Sequence, residues 1–246
     1  MSSGSNPYRG EVDALATGRI ALVALFVTAL VTAQLTASKL LAFSVPVALP
    51  LAGESLVMPG AALAYALTFF ASDCYSELYG PTEARKVVLV GFAMNFVLLG
   101  LVWSTIAAPA APFSDVDPAT FERVLGASTN IVVASLLAYV VSQNWDVAVF
   151  HRVRELTGGA HLWARNLVST ASSQLLDTVI FVGVGFAVMP ALRGADPQGL
   201  GALVSLAVGQ YVLKLLIALA DTPFVYAVVG YLRSRGHVPT PASAAD

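Results

Sequence analysis

Residues 167–189 read LVSTASSQLLDTVIFVGVGFAVM, a run long and apolar enough to cross a lipid bilayer that nevertheless carries a carboxylate near its centre. The acid, Asp177, follows Leu167 by ten residues, which is about 15 Å along a helix. That depth is the midplane of a hydrocarbon core about 30 Å thick. Ionisable groups at such depth are costly and face a bundle interior or a watery cavity. Asp177 is therefore the first candidate for a functional residue.

The polar part of this run repeats an earlier one. Segments 142–150 (SQNWDVAVF) and 173–181 (SQLLDTVIF) share Ser, Gln, Asp and Phe in the same register. On a helix, positions i, i+3 and i+7 lie on one face, so each copy aligns an amide, a carboxylate and an aromatic ring. Such a stripe suits a flat polar ligand. Two copies on antiparallel helices are typical of inverted repeats, although four identities in nine residues do not establish one.

The composition predicts a polytopic membrane protein. Hydrophobic residues make up 57% of the chain, charged residues 11%, and the mean hydropathy is +0.75, whereas about a quarter of a soluble domain is charged. We expect an all-α integral membrane fold with six transmembrane helices. The apolar segments are 18–41, 57–70, 87–106, 131–150, 167–189 and 200–220, the last extending towards 231. The second is short and reaches spanning length only if the polar run 72–77 is also helical and sheltered from lipid.

Basic residues predict the orientation. The N-terminal side and every second loop carry nine Lys and Arg residues, and the opposite loops carry three. By the positive-inside rule, both termini of this multi-pass protein lie in the cytoplasm, and the host membrane is the cell membrane. We expect a cytoplasmic tail at 1–17 without signal-peptide features, a transport domain at 18–233 and a disordered tail at 234–246.

Polar residues on every predicted helix imply a shared pocket, because lipid offers no hydrogen-bond partner. Lys214 lies at the depth of Asp177, and the two side chains either pair with each other or contact a ligand. The candidate substrate-binding residues are Asp177, Gln174, Gln143, Lys214, Asn95, Gln34 and Tyr211.

A second group near the cytoplasmic side suggests coupling or gating. Asp73 and Glu77 are one turn apart, so the two carboxylates can share a proton. The alternative is a salt-bridged gate or hairpin anchor with Arg85 or Arg152. Asp146 lies close to the predicted helix end, where it either caps the helix or contacts the ligand.

Enzyme signatures are missing from the sequence. The three histidines lie in loops or the tail, and no phosphate-binding Gly-Lys-Ser/Thr loop occurs. The single cysteine, Cys74, excludes an intrachain disulfide and a cysteine-based metal cluster. We expect no enzyme activity, no cofactor and no metal. The net charge of −2, spread over loops, gives no indication of a nucleic-acid partner, and the oligomeric state stays open.

Four blocks of sequence carry a family resemblance. Segment 71–80 (ASDCYSELYG), followed by Ala84-Arg85-Lys86, resembles the signature of the queuosine-precursor transporter family, also called the vitamin uptake transporter family. Its fourth, fifth and sixth helices are similar to three further blocks, at 138–154, 169–181 and 211–214. The resemblance covers roughly residues 18–233.

The resemblance implies a fold similar to the substrate-binding subunits of energy-coupling-factor transporters, and uptake of 7-deazaguanines such as 7-cyano-7-deazaguanine for queuosine or archaeosine in tRNA. Two positions depart from the family pattern. Gln34, five residues before Lys39, replaces an Asn, and Gln174 is Asn in some members. These longer amides leave the preferred 7-substituent open.

Three functions are weighed. The first is a transporter that alternately exposes a midplane site. The second is a binding subunit for another planar vitamin that needs an ATPase module. The third is a membrane enzyme acting on lipids, which predicts a reactive pair near an interface that the sequence does not contain.

Overall fold

A computed structural model describes residues 7–49, 53–158 and 162–234, and the predicted C-terminal tail lies almost wholly outside them. Over these ranges the chain is helical apart from one β-hairpin and the connecting loops. In chain order the elements are α1 (Pro7–Thr36), β1 (Leu40–Leu49), β2 (Gly53–Pro59), α2 (Ala62–Tyr79), α3 (Pro81–Ala107), α4 (Pro118–Gly126), α5 (Ser128–Leu156), α6 (Leu162–Gly183), a π-helical turn (Val184–Val188), α7 (Met189–Leu192) and α8 (Leu200–Ser234).

The structure confirms an all-α membrane fold. Five helical segments in the described ranges are long and apolar enough to span a bilayer, and the shorter α2 corresponds to the second predicted span. Large apolar side chains point outward, among them Phe96 on α3 and Leu219 on α8. Outward apolar side chains suit a lipid environment, because lipid tails are as apolar as they are.

The hairpin corrects the predicted ends of the first two spans. α1 ends at Thr36 instead of continuing to residue 41, and Val57 belongs to β2 instead of the second helix. The strands pair in antiparallel register from Leu40↔Pro59 to Ser44↔Ser55, and pairing then shifts before Leu49↔Gly53. Pro46 falls in this irregular part, since it has no N–H to donate to a ladder.

The helix predicted through the polar run 72–77 is confirmed, since α2 continues to Tyr79. Its two acids, Asp73 and Glu77, are exposed on the surface of the chain instead of buried. On the N-terminal side, α1 begins at Pro7, inside the segment 1–17 that was predicted to be a tail.

The chain forms two compact units, and α1, α3 and α8 contribute to both. The first unit comprises residues 1–33, 63–97 and 216–246. Its core is an apolar cluster in which Phe26, Leu30, Cys74 and Tyr75 are buried. A Cβ at Gly91 would lie 2.6 Å from the Phe26 ring, so only glycine lets α3 pack this closely against α1.

The second unit comprises residues 34–62 and 98–215. Its main helix pair is α5 with α6, and the π-helical turn follows α6. The turn has a local cause: Pro190 has no N–H for the carbonyl of Phe186, four residues earlier. The backbone N–H of Gln198 donates to that carbonyl instead, at 3.1 Å. Gly185, inside the turn, packs against Ala134 of α5.

Candidate functional site

Asp177 and Lys214 form an ion pair in the second unit. Lys214 Nζ lies 2.5 Å from Asp177 Oδ2, and the two side chains are only 7% and 17% exposed. The hydroxyl of Ser142 on α5 donates to Asp177 Oδ1 at 3.4 Å. The sequence left open whether these two side chains pair with each other or contact a ligand, and in the structure they pair. An isolated charge at this depth would be strongly disfavoured, and the contact between the two side chains offsets part of that cost.

The repeated sequence pattern has a geometric explanation. Ser142 donates to Asp177, and Ser173 donates to Asp146 at 3.1 Å. The serine of each copy thus binds the acid of the other, as two antiparallel helices allow when their contacts obey a local two-fold relation. An additional bond runs from Trp145 Nε1 to Ser172 at 3.1 Å. The shared register of the two segments is therefore the register of one helix–helix contact.

Asp146 is a mid-helix residue and not a helix-terminal one. α5 continues for ten residues beyond it to Leu156, so its predicted capping role is wrong. The half-buried carboxylate instead ties α5 to α6 through Ser173. Within the described residues, Lys214 contacts Asp177 and no corresponding cation is seen at Asp146.

The remaining predicted substrate residues differ in exposure. Gln34 is buried in the second unit, Gln174 and Tyr211 are half-buried, and Gln143 is exposed. Asn95 is fully buried in the first unit.

Three buried amides have side-chain atoms without a hydrogen-bond partner among the described residues. They are Gln34 through Oε1, Gln210 through Oε1, and Asn95 through both of its side-chain polar atoms. Gln210 is a polar residue of the sixth predicted span and is not among the substrate-binding residues predicted from the sequence. Its spacing of four from Lys214 was the available signal.

Chemically, the ion pair offers donors and acceptors side by side. The Lys214 ammonium has three N–H donors, one of which serves Asp177, and the carboxylate has lone pairs beyond those used by Ser142 and Lys214. A flat ligand with neighbouring donors and acceptors along one edge could use both side chains at once. In the described part of the chain, no three His, Cys, Asp or Glu residues cluster as metal ligands.

The signature segment around α2 forms a different polar cluster in the first unit. Arg19 of α1 donates through Nε to the Tyr75 hydroxyl at 2.7 Å and through Nη2 to Glu83 at 2.8 Å. Its guanidinium also lies against the rings of Tyr75 and Tyr79. Lys86 contacts Glu83 from the other side at 2.5 Å.

This cluster contains an ion pair that the sequence did not indicate. Its acid is Glu83 and its arginine is Arg19. Arg85 is exposed, and Arg152 pairs with Glu155 on its own helix. Arg19 and Glu83 were missed because they lie in different segments of the sequence, which only folding brings together.

Asp73 also has an acidic neighbour that the sequence did not reveal. Its carboxyl group lies beside that of Asp221 on α8, within the first unit. Two neighbouring carboxyl groups can share one proton. Asp221 in turn lines a cavity of about 330 Å³ whose other lining residues are apolar, including Phe70 and Phe224.

Comparison with known proteins places these features in a family. Residues 59–228, more than half of the chain, match the model of a family described as "Putative vitamin uptake transporter". The chain belongs to this family. The family resemblance found in the sequence is confirmed, as is the prediction that the protein is not an enzyme, because the vitamin uptake transporter family is one of membrane transporters.

Two curated relatives share one name with each other. A "Probable queuosine precursor transporter" of Bacillus subtilis (strain 168) is 35% identical over 168 residues, which cover 66% of this chain and 68% of the relative. A protein of that name from Haemophilus influenzae (strain ATCC 51907 / DSM 11121 / KW20 / Rd) is 28% identical over 170 residues, covering 68% and 66%. No solved structure matches, so the expected similarity to energy-coupling-factor subunits stays a prediction.

The family match contains most of the two polar clusters. It spans Asp177, Lys214 and the signature around Tyr75, and it begins after most of β2. Gln34 and Arg19 therefore lie outside the matched residues, and their roles depend on the structure and the chemistry of their contacts.

Proposed function

We propose that this vitamin uptake transporter imports a queuosine or archaeosine precursor, 7-cyano-7-deazaguanine or a related 7-deazaguanine, for tRNA modification. The observation that carries the proposal is the buried Asp177–Lys214 pair on helices that span the membrane. The printed names of the two relatives support the substrate class. We place the protein in the cell membrane with both termini in the cytoplasm.

A deazaguanine has hydrogen-bonding groups that are complementary to this ion pair. Its N1–H and 2-amino group are adjacent donors that a carboxylate accepts as a bidentate, charge-assisted pair, and its O6 needs a donor. We assign the donors to Asp177 and O6 to Lys214, with Gln174 beside them. Gln34 and Tyr211 complete the proposed site, whereas Gln143 and Asn95 keep their assignment only as sequence-based predictions.

We further propose alternating access to this site, coupled to protons through the acids of α2. Asp73 lies beside Asp221, and Glu77 follows Asp73 one turn later on α2. A carboxyl pair that holds one proton changes its charge when the proton leaves, and such a change can bias two conformations of a transporter.

Ligand-dependent thermal stabilisation tests the substrate class. The purified protein in detergent should be stabilised by 7-cyano-7-deazaguanine in a concentration-dependent manner, since a ligand of the native state at 100 times its Kd adds about 2.7 kcal/mol. Guanine, riboflavin and a 2-deamino analogue serve as comparison ligands. Stabilisation by riboflavin but by no 7-deazaguanine would reject the proposal in favour of another planar vitamin.

A binding subunit that needs an ATPase module is the second candidate function. It shares the site but not the mechanism, so uptake separates the two. The purified chain alone, reconstituted in liposomes, should accumulate labelled substrate when a pH gradient is applied. Binding without any uptake would favour the subunit.

A further inference from the structure

Gln210 is buried and unsatisfied beside the ion pair. Only 8% of the residue is exposed, and its Oε1 has no partner among the described residues. Gln34, 3% exposed, is in the same condition in the same unit. A buried acceptor without a donor costs about 1–3 kcal/mol, and in hydrocarbon no bulk water relieves it. Each of these oxygens is therefore available to a donor that the described residues do not supply.

Gln210 and Lys214 lie on the same face of α8. They are four residues apart, so their side chains are neighbours on the helix surface. Asp177 already receives Lys214 and Ser142. Gln210 thus lies one turn of α8 from the lysine that pairs with Asp177, and its Oε1 has no partner among the described residues.

Gly209 fixes the position of Gln210 against the hairpin. A Cβ at residue 209 would overlap the carbonyl oxygen of Val57 and would come within 2.8 Å of its carbonyl carbon. Only glycine allows α8 to touch the backbone of β2 in this way. The neighbouring residue on α8, Gln210, is therefore held next to a close helix–hairpin contact.

The hairpin also holds the end of α1 that carries Gln34. Gly60 donates to the carbonyl of Lys39 at 2.6 Å, and a Cβ on Gly60 would lie 2.6 Å from the Thr36 carbonyl. Val57 and Gly60 are three residues apart, roughly 10 Å at 3.3 Å per residue. The hairpin thus contacts both the end of α1 that carries Gln34 and the part of α8 that carries Gln210.

We propose that Gln210 is a substrate-binding residue whose Oε1, together with that of Gln34, accepts N–H groups of a planar nitrogen heterocycle bound beside Asp177 and Lys214, and that Gly209 positions it. This assignment rests on the proposed function and adds the residues that satisfy the donors of the ring. Gln34 and Gln210 supply neutral acceptors, so the site can take up several donors without burying another charge.

The test separates a binding role from a structural one. Gln210→Met keeps the length of the side chain and removes the acceptor. Affinity for 7-cyano-7-deazaguanine, measured by calorimetry, should fall about 10- to 100-fold, the loss expected for an unmet buried donor. The unfolding midpoint without ligand should stay the same or rise, because the variant removes a group that had no partner. Gln198→Met, in an exposed loop, is the matched control and should bind like the wild type.

The possible failures are distinguishable. If the wild type binds no 7-deazaguanine, both the proposed function and this inference are wrong. If the wild type binds and Gln210→Met binds within twofold of it, only the inference is wrong. A midpoint well below that of Gln198→Met would show a structural role and would also overturn it. Gly209→Ala, which keeps Gln210, should weaken binding as well, and unchanged affinity would remove Gly209 from the proposal.

Discussion

Two serines and two aspartates explain why the pattern Ser-Gln-x-x-Asp occurs on both α5 and α6. The two Ser–Asp contacts are nevertheless not equivalent. Ser142 binds Asp177 and Ser173 binds Asp146. Only Asp177 also receives a lysine in the described structure. The helix contact explains the shared register, and the cation distinguishes the acid that we assign to the substrate.

The ion pair makes a first prediction at this scale. Lys214→Met and Asp177→Leu should each destabilise the protein by about 3–5 kcal/mol, because each leaves one buried charge without its partner. The double variant removes both charges and should recover most of that loss. Thermal unfolding in detergent measures all three.

The same variants distinguish a purely structural role of the Asp177–Lys214 pair from a role in substrate binding. The double variant should be stable and yet bind 7-cyano-7-deazaguanine at least tenfold more weakly, since the charged donors and acceptors are gone. Wild-type affinity in a stable double variant would make the pair purely structural. A double variant as unstable as the single ones would mean that the two charges are not each other's main partner.

The acids of the first unit make a second prediction. Asp221→Asn replaces one of the two neighbouring acids with an amide, whose N–H can donate to Asp73 but cannot be lost as a proton. If a proton shared by the two acids drives transport, uptake should lose its pH dependence while equilibrium binding stays nearly intact. The other titratable groups beside the pair are Cys74 and, one turn along α2, Glu77.

Glu77→Gln is the comparison for that experiment, because the sequence alone paired Asp73 with Glu77. Uptake by both variants is followed in liposomes between pH 5.5 and pH 8. Flattening by Asp221→Asn but not by Glu77→Gln supports the contact seen in the structure. Unchanged profiles in both variants would assign these acids to structure alone.

At the scale of elements, the hairpin marks the limit of hydropathy as evidence. Leu40, Leu41 and Val57 are as apolar as the helices beside them, so composition assigned them to spans. Their strand conformation follows from Pro46, which disfavours a continuous helix, and from the close contacts of Gly60 and Gly209. Those contacts join positions far apart in sequence, and hydropathy holds no information about them.

The site was predictable to a similar extent. Depth along a helix follows from residue count, so Asp177 and Lys214 could be placed at one level from the sequence. Their pairing depends on the rotation of α6 and α8 about their axes, which residue count does not determine. Arg19 and Glu83 are separated by 64 positions, and Gln210 became a candidate only once its burial was known.

The cluster around Arg19 makes a prediction about elements. Arg19→Lys keeps the charge but cannot donate to Tyr75 and Glu83 at once as a planar guanidinium does. The variant should lower the unfolding midpoint, by less than Asp177→Leu because the ion pair is exposed to solvent. Arg154→Lys, an exposed residue on α5, is the matched control. Equal midpoints for the two variants would mean that the Arg19 guanidinium does not stabilise the contact of α1 with α2 and α3.

At the scale of the whole molecule, apolar surface and basic residues together define how the chain sits in a bilayer. Outward Leu, Val and Phe side chains cover the spanning helices, and basic residues collect on alternate loops, nine against three. The hydropathy indicates which segments span, and the basic residues predict the orientation. Orientation matters for the proposed coupling, since it sets the side from which Asp73 and Asp221 would exchange a proton.

Cysteine labelling in intact cells tests that orientation. Cys74 is fully buried, so Cys74→Ser gives a silent background into which single cysteines are placed at Ser3, Ala119 and Ala242. Because the basic loops stay in the cytoplasm, a membrane-impermeant maleimide should label only position 119, in the exposed part of α4. Permeabilised cells should add positions 3 and 242, which controls for their reactivity. Labelling of position 3 or 242 in intact cells, with position 119 protected, would invert the protein and place the Arg19 cluster on the outer side.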